Sequence, residues 1–398
     1  MALIQRAETA TKGPVLVIGT GLIGTSIALA LRSHGVPVYL WDPSPTSLAL
    51  AGDMGAGIPL RGDFSTFAAH AGPGQPLVVI AAPPDVSGGL AATCLRLFRS
   101  AIVTDVASVK EAVVGDLLMA LEGDDGTEGE LTTSDLERYV GSHPMAGRAR
   151  SGASHADGDL FVGRPWVIVP TDFSAPATVT TVRSLAVDVG AVPSELGPVE
   201  HDDAVALVSH VPQLVSSLLA SRLNAAPLDA LGLAGQGLRD MTRIAASDPG
   251  LWTAIISGNS RRVADVLGEL RDDLEDLING LEGPGLEVDG AIAPGVAGAI
   301  ARVMTSGNRG AERIPGKHGD SPRRWGYVEV LVPDSAGELG RLFSDLGAIG
   351  VNVEDLVLEH SAGQPVGLAR LMIKPSVIEE TQVELEQRGW RVASSGLG

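Results

Sequence analysis

The stretch VLVIGTGLIGTSIALALRSHG, Val15 to Gly35, restricts the fold more than any other part of the chain. Four apolar β-formers run into glycines at 19, 21 and 24, and those glycines open a segment whose apolar residues repeat at helical spacing. A strand, a tight turn and a helix in that order make a βα unit. In such a unit Gly19 permits the turn, Gly21 leaves room for a diphosphate against the backbone, and Gly24 lets helix and strand pack closely. Leu22 and Ile23 fall in the first helical turn, whose free N–H groups suit an anion. The next strand-like run, VPVYLWD, ends at Asp42. A carboxylate there accepts hydrogen bonds from a ribose 2′-OH and repels a 2′-phosphate, so the pattern predicts a nicotinamide dinucleotide and favours NAD over NADP. A purely structural glycine turn is the alternative for the motif alone.

Further strand-like runs at Leu77–Pro84 and Ala101–Ser108 alternate with helical stretches. Apolar strands joined by crossover helices predict a parallel sheet covered on both faces, hence an α/β Rossmann-type domain over 13–197. Within it, EGDDGTEGELTTSDLER (122–138) reads as an acidic surface excursion. From 198 to 304 the strand signal disappears and apolar residues recur at helical spacing, which predicts a mostly helical substrate and dimerisation domain. Residues 305–324 are polar, contain Gly and Pro, and read as a linker. Residues 325–394 run strand, helix, two strands, helix, strand, a βαββαβ module.

At 398 residues and 44% hydrophobic content, the chain has material for several cores. Its one cysteine, Cys94, rules out a disulfide framework and suggests a reducing compartment, with the cytoplasm as the expected location. A formal charge of −19 argues against a nucleic-acid partner. Uninterrupted apolar runs of about 18 residues are lacking, so no membrane partner is expected.

Two stretches place polar chemistry near strand ends. TDVASVK puts Ser108 just past a strand, where open α/β sheets carry their functional residues. GSHPMAG puts His143 among small residues; a histidine there is suited to accepting a hydroxyl proton near neutral pH, and a hydrogen-bonded loop histidine is the bland alternative. Metal-ligand spacing of Cys and His is absent around it, so no metal is expected. In the helical part, VSHVPQ sets His210 beside Pro212, which predicts a kinked helix with a polar group facing a cleft or capping the kink. GLRDMTRIAASDPGLW carries Arg239 and Arg243 at i, i+4 on one face, suited to gripping a carboxylate or to lying in solvent.

In combination and in this order, GTGLIG, TDVASVK, GSHPMAG, SHVPQ and DMTRIAASDPGLW resemble the prephenate and arogenate dehydrogenase family of tyrosine biosynthesis. The resemblance implies an interlocked homodimer and oxidative decarboxylation of a cyclohexadienol by NAD. It implies that His143 accepts the ring-hydroxyl proton, that Ser108 holds that hydroxyl in register, that Arg243 binds a substrate carboxylate and that His210 positions the substrate. Where many relatives have Thr-Glu, this chain has Arg148 and Ala149, and Gln213 stands where many prephenate users have a second histidine. Arg148 suits an anionic keto-acid tail and Gln213 tolerates an amine, which leaves prephenate and arogenate both open.

The C-terminal module resembles an ACT domain through VPDSAGELGRLF and GVNVEDL. This implies an amino-acid site at Asp334, Gly337 and Asn352, with tyrosine as the feedback ligand by pathway logic, or a docking module without ligand. Two other readings are a β-hydroxyacid dehydrogenase, which would want a lysine that Glu200–Met304 lacks, and a non-catalytic sensor of NAD and amino acids.

Overall fold

The computed structural model describes residues 9–70, 75–123, 130–148, 150, 152–282, 294–314, 325–360 and 365–397. Its two compact units are Met1–Arg271 and Asp272–Gly398.

The first unit begins with β1 (Val15–Ile18), α1 (Leu22–Ser33), β2 (Val38–Trp41), α2 (Pro45–Asp53), β3 (Ile58–Pro59), β4 (Leu77–Ile80), α3 (Pro84–Leu97), β5 (Ile102–Asp105) and α4 (Glu111–Glu122). The strands form a parallel sheet in the order β3-β2-β1-β4-β5. Strand alternation sorts the side chains onto two faces. Val15, Val17, Val38, Leu40 and Val79 pack with Ile27 and Leu31 of α1, and Leu16, Ile18, Val78, Ile80 and Val103 pack with Ala91 and Leu95 of α3 and Leu117 of α4. The strand order reverses between β1 and β4, which opens a crevice outside their carboxyl ends, as the glycine motif predicted.

The expectation of one parallel sheet fails after Asp105. β6 (Gly141–Pro144) pairs antiparallel with β7 (Pro165–Val169), and β7 pairs parallel with β8 (Val192–Glu195) beyond α5 (Pro176–Asp188), making a separate three-stranded sheet. Between β6 and β7 the described chain forms only a short 3₁₀ turn at Ala153–His155, and without a crossover helix consecutive strands pair antiparallel. The 122–138 segment is also corrected in part. Residues 124–129 lie outside the described residues, but Leu131 and Leu136 are buried in the core below α3, and Thr133–Arg138 forms a 3₁₀ turn.

The helical stretch comprises α6 (Pro198–Val205), α7 (Val211–Arg222), α8 (Leu228–Leu231), α9 (Gln236–Thr242), α10 (Pro249–Ser257) and α11 (Ser260–Glu282), whose last residues belong to the second unit. Between α6 and α7 the chain takes a π-helical turn, Ala206–His210. Pro212 supplies no N–H and crowds the carbonyl one turn back, which accounts for the widened turn and bears out the predicted irregularity. Although uninterrupted apolar runs are lacking, the helical stretch Pro198–Ala225 contains an 18-residue window of mean hydropathy 1.4, long and apolar enough to cross a membrane by length and composition. The same stretch turns His201, Asp202, His210 and Gln213 into the protein interior.

In the second unit α12 (Pro294–Ala311) follows, so Thr305–Ala311 is helix rather than linker; 315–324 lie outside the described residues. The module is then β9 (Gly326–Pro333), α13 (Glu338–Ala348), β10 (Asp355–His360), β11 (Val366–Ile373), α14 (Ile378–Gln387) and β12 (Arg391–Leu397), the predicted βαββαβ. Its antiparallel sheet runs β10-β11-β9-β12 over a core of Val328, Val330, Leu342, Leu346, Leu371 and Leu385.

Candidate active site

At the mouth of the β1–β4 crevice each glycine has its own constraint. Gly19 has φ +99°, and a Cβ on it would lie 2.3 Å from the Ala81 carbonyl oxygen. A Cβ on Gly24 would lie 2.0 Å from the Gly19 carbonyl oxygen. Around Gly21, by contrast, a Cβ would meet nothing within 4 Å, so the backbone there is open to a ligand. Leu22 and Ile23 form the first turn of α1. Asp42 follows β2 and holds the glycine turn: its Oδ2 accepts from the Thr20 N–H at 2.7 Å and the Thr20 hydroxyl at 2.9 Å, and its Oδ1 accepts from the Ser44 N–H at 2.8 Å. Oδ1, with one donor, keeps lone-pair capacity for a ribose hydroxyl. These residues fit a dinucleotide with a free 2′-OH.

Ser108 follows β5 by three residues, half-buried, and its hydroxyl makes no hydrogen bond to the described residues. His143 does not lie beyond a strand, as expected, but inside β6, in register with Val167 of β7. Its neighbour Ser142 donates to the Asp105 carbonyl at 2.9 Å, which brings β6 against the carboxyl end of β5. The ring partner of His143 is His201 rather than Ser108, with His143 Nδ1 and His201 Nε2 2.9 Å apart. The reason is topological: β7 and β8 return the chain to α6, whose first turns lie against β7.

Behind this pair lies a buried polar network that the sequence reading missed. His201 Nδ1 is 2.7 Å from Asp202 Oδ1. Asp202 also accepts from the backbone N–H groups of Lys110 at 2.8 Å and Glu111 at 2.9 Å, at the start of α4. Lys110, fully buried, pairs with Asp105, which further accepts from the Tyr139 hydroxyl at 2.7 Å and the Ala107 N–H at 2.9 Å. Each buried charge thus has an opposite charge or several donors, as burial demands. The signal was visible in part: EHDD breaks an otherwise apolar helix, and TDVASVK contains both Asp105 and Lys110.

The electrostatics favour neutral imidazoles. Burial, then His201, Lys110 and His210, hold His143 well below the ordinary imidazole range. Burial brings His210 down to about 4, with Asp202 opposing and His201 adding to the fall. Burial would raise the Asp202 carboxyl, but the bonds from His201, Glu111 and Lys110 outweigh it and keep it low.

His210, buried at the end of the π turn, faces the edge of Trp252 at 6.3 Å between ring centroids. Asn259 Nδ2 donates to the Asp202 carbonyl at 2.7 Å and lies 3.3 Å from His210 Nδ1. A carbonyl accepts only, so the NH₂ end of Asn259 faces it, and the same NH₂ donates to His210 Nδ1. The neutral His210 therefore carries its proton on Nε2, which is buried and has no hydrogen-bond partner among the described residues. It is a donor available to a ligand oxygen.

The other predicted residues are distributed differently. Arg243 begins a 3₁₀ turn, exposed, with no ion pair among the described residues. The Gln213 amide is engaged internally: its nitrogen donates to the Ile244 carbonyl at 2.9 Å and its oxygen accepts from Ser247 at 3.4 Å, so it fixes the turn that carries Arg243. Arg148 is exposed and pairs with Asp157 at 2.6 Å; Ala149 lies outside the described residues. In the C-terminal module, Asp334, Gly337 and Asn352 are exposed, and Gly337 takes φ +95° at the start of α13.

Residues 27–194 match the family model described as prephenate dehydrogenase, nucleotide-binding domain, and residues 197–286 match prephenate dehydrogenase, dimerization domain. The chain is 33% identical over 377 residues to the probable prephenate dehydrogenase NovF of Streptomyces niveus, covering 94% of this chain and 98% of that protein. It is 29% identical to the prephenate dehydrogenase of Bacillus subtilis, covering 90% and 92%. Among solved structures, the A. aeolicus prephenate dehydrogenase in complex with hydroxyphenyl propionate and NAD+ superposes with a TM-score of 0.60 at 26% identity, over 75% of this chain and 98% of that one. The Synechocystis arogenate dehydrogenase gives 0.57 at 25% identity, over 74% and 99%.

Proposed function

This chain belongs to the prephenate dehydrogenase family, and from that membership and the geometry of the site we propose that it is an NAD-dependent prephenate dehydrogenase, converting prephenate to 4-hydroxyphenylpyruvate, CO₂ and NADH. The observation that carries this reading is the pair of buried, neutral histidines: His143 beside the carboxyl end of β5, and His210 with an unpartnered Nε2–H. One acceptor and one donor are what an alcohol oxidation with a carboxylate-bearing substrate needs.

Gly19, Gly21, Leu22, Ile23 and Gly24 hold the dinucleotide phosphates at the head of α1, and Asp42 takes the ribose hydroxyl. Bound there, the nicotinamide supplies the hydride acceptor. His143 takes the proton of the ring hydroxyl as the carbinol hydrogen leaves as hydride, which develops a carbonyl at that carbon. Loss of CO₂ then leaves its electron pair in the ring, the ring becomes aromatic, and the proton returns to the phenolic oxygen. Ser108, whose hydroxyl is otherwise unengaged, holds the substrate oxygen in register. His210 donates to a substrate oxygen, and Arg243, with Arg148, meets the carboxylates. A positioned base of this kind is worth about 10²- to 10⁴-fold.

Arg148 favours the keto acid over the amino acid, and arogenate is the alternative substrate. NADH formation measured with each tests the proposal. A higher kcat/KM with prephenate is expected; preference for arogenate would reverse the substrate assignment, and NADH from neither would overturn the enzyme reading.

The helical segment is proposed to join two copies as a homodimer, in keeping with the exposed apolar side chains Leu218, Leu228 and Leu233. The βαββαβ module is proposed to be an ACT-like regulatory domain that takes tyrosine at the Asp334, Gly337 and Asn352 turn. Support comes from the positive-φ Gly337 at the head of α13. A chain ended before Arg323 that remains tyrosine-inhibited would refute it.

A further inference from the structure

We propose that His201 and Asp202 are positioning residues for the base: they hold the proton of neutral His143 on Nδ1, leave Nε2 bare toward substrate, and share the proton that Nε2 takes up. The proposal rests on the reading of His143 as the base.

The carboxylate of Asp202 sets the order of protons along the chain. Asp202 accepts from two backbone N–H groups and lies 2.7 Å from His201 Nδ1. An ionised carboxylate accepts only, so His201 Nδ1 carries a proton. A neutral imidazole has one N–H, which leaves His201 Nε2 as a lone pair. That lone pair lies 2.9 Å from His143 Nδ1, so the His143 proton is on Nδ1 and its Nε2 is an acceptor. Three groups, each fixed by its own element, impose the order of donors and acceptors: α4 holds Asp202, α6 carries His201, and β6 carries His143.

Such a chain answers a problem the site otherwise has. The groups facing His143 are His201 from α6, Lys110 from the start of α4 and His210 from the π turn, and all oppose a positive charge on it. A base that must take a proton there needs somewhere to put the charge. When the substrate O–H breaks and N–H forms at His143 Nε2, the Nδ1–H bond of His143 breaks and an N–H forms at His201 Nε2. The charge then lies on His201 against the Asp202 carboxylate. The proton retraces this path when CO₂ departs, so none is gained or lost over the cycle.

The test uses the full chain with His201→Leu and His201→Gln. Steady-state rates with prephenate and NAD are combined with ¹⁵N NMR of the histidine rings of the NAD-bound protein. Wild type is expected to show His143 protonated on Nδ1. His201→Leu should lower kcat at least about 30-fold with KM within about threefold, and should mix the His143 tautomers. His201→Gln offers a carbonyl to His143 Nδ1–H but cannot take a proton, so it should restore the tautomer and only part of the turnover. It also carries the test if the Leu variant misfolds. Neutral His143 protonated on Nε2 in wild type, either variant turning over within about twofold of wild type, or KM alone changing, would overturn the proposal. A His143→Asn variant at full speed would sink the base itself, whereas fast His201 variants beside a dead His143→Asn sink only the pair.

Discussion

Single residues divide here into those whose space is filled and those whose space is left open. Gly24→Ala would drive a Cβ into the Gly19 carbonyl at 2.0 Å, so it should damage folding as well as cofactor binding. A Cβ on Gly21 meets nothing within 4 Å, so Gly21→Ala should leave the thermal midpoint within a few degrees of wild type while weakening NAD binding at least about tenfold. Titration of NAD alongside thermal unfolding separates the two; equal loss of stability in both would refute the assignment of Gly21 to the ligand. His143→Asn should retain NAD binding and lose at least about 100-fold in turnover, and near-normal turnover would remove its role. The glycine turn was legible from the sequence because its local pattern states its constraint, whereas His143 was legible as a candidate but neither its strand nor its ring partner was. His201 and Asp202 were not, since their meaning comes from meeting a histidine 58 residues away across a strand pair.

At the level of elements, the sequence reading succeeded where periodicity was strong and failed where pairing depended on partners. The βαββαβ module and the irregular helix at Pro212 were visible in spacing and composition. The antiparallel β6–β7 pair was not, because nothing in GSHPMAG distinguishes a strand from a loop behind a parallel strand. Nor was the burial of Leu131, Asp135 and Leu136, where charge suggested solvent. There Arg138 donates to the carbonyls of Leu95, Phe98 and Ala101, capping the end of α3, and pairs with Asp135 at 2.6 Å. Arg138→Ala leaves those carbonyls and a carboxylate short of donors and should cost about 1–3 kcal/mol in chemical denaturation. An unchanged midpoint would show that the cap is dispensable. Burial alone would raise the Asp135 carboxyl, yet bonds from Thr132 and Arg138 bring it to about 2. In α7, Gln213→Ala should release the turn that carries Arg243, raising KM for prephenate about three- to tenfold with kcat within about twofold. A fall in kcat at constant KM would place Gln213 in the chemical step instead.

For the whole molecule, the two buried imidazoles that make the site reactive also make the first unit sensitive to acid. His210 is buried at 1% exposure and its folded-state value falls from the ordinary 6.5 to about 4. His143 is displaced the same way. The sign follows from proton uptake: between these values the unfolded chain binds a proton at position 210 that the folded protein refuses. Stability is therefore full above pH 6.5 and is lost as pH falls through about 4. The His210 share is on the order of 3 kcal/mol, at about 1.4 kcal/mol per pKa unit. Asp135 adds a second window at lower pH, full above the ordinary carboxyl value of 3.8 and lost through about 2. The thermal midpoint of the full chain should thus begin to fall below pH 6.5, well before carboxylates titrate, and His210→Gln should shrink that first limb by the His210 share, leaving the His143 share and the second limb. Parallel curves for wild type and His210→Gln between pH 6.5 and 4 would mean that the folded protein accepts a charged His210, and with it the argument for His210 as a neutral donor would fail.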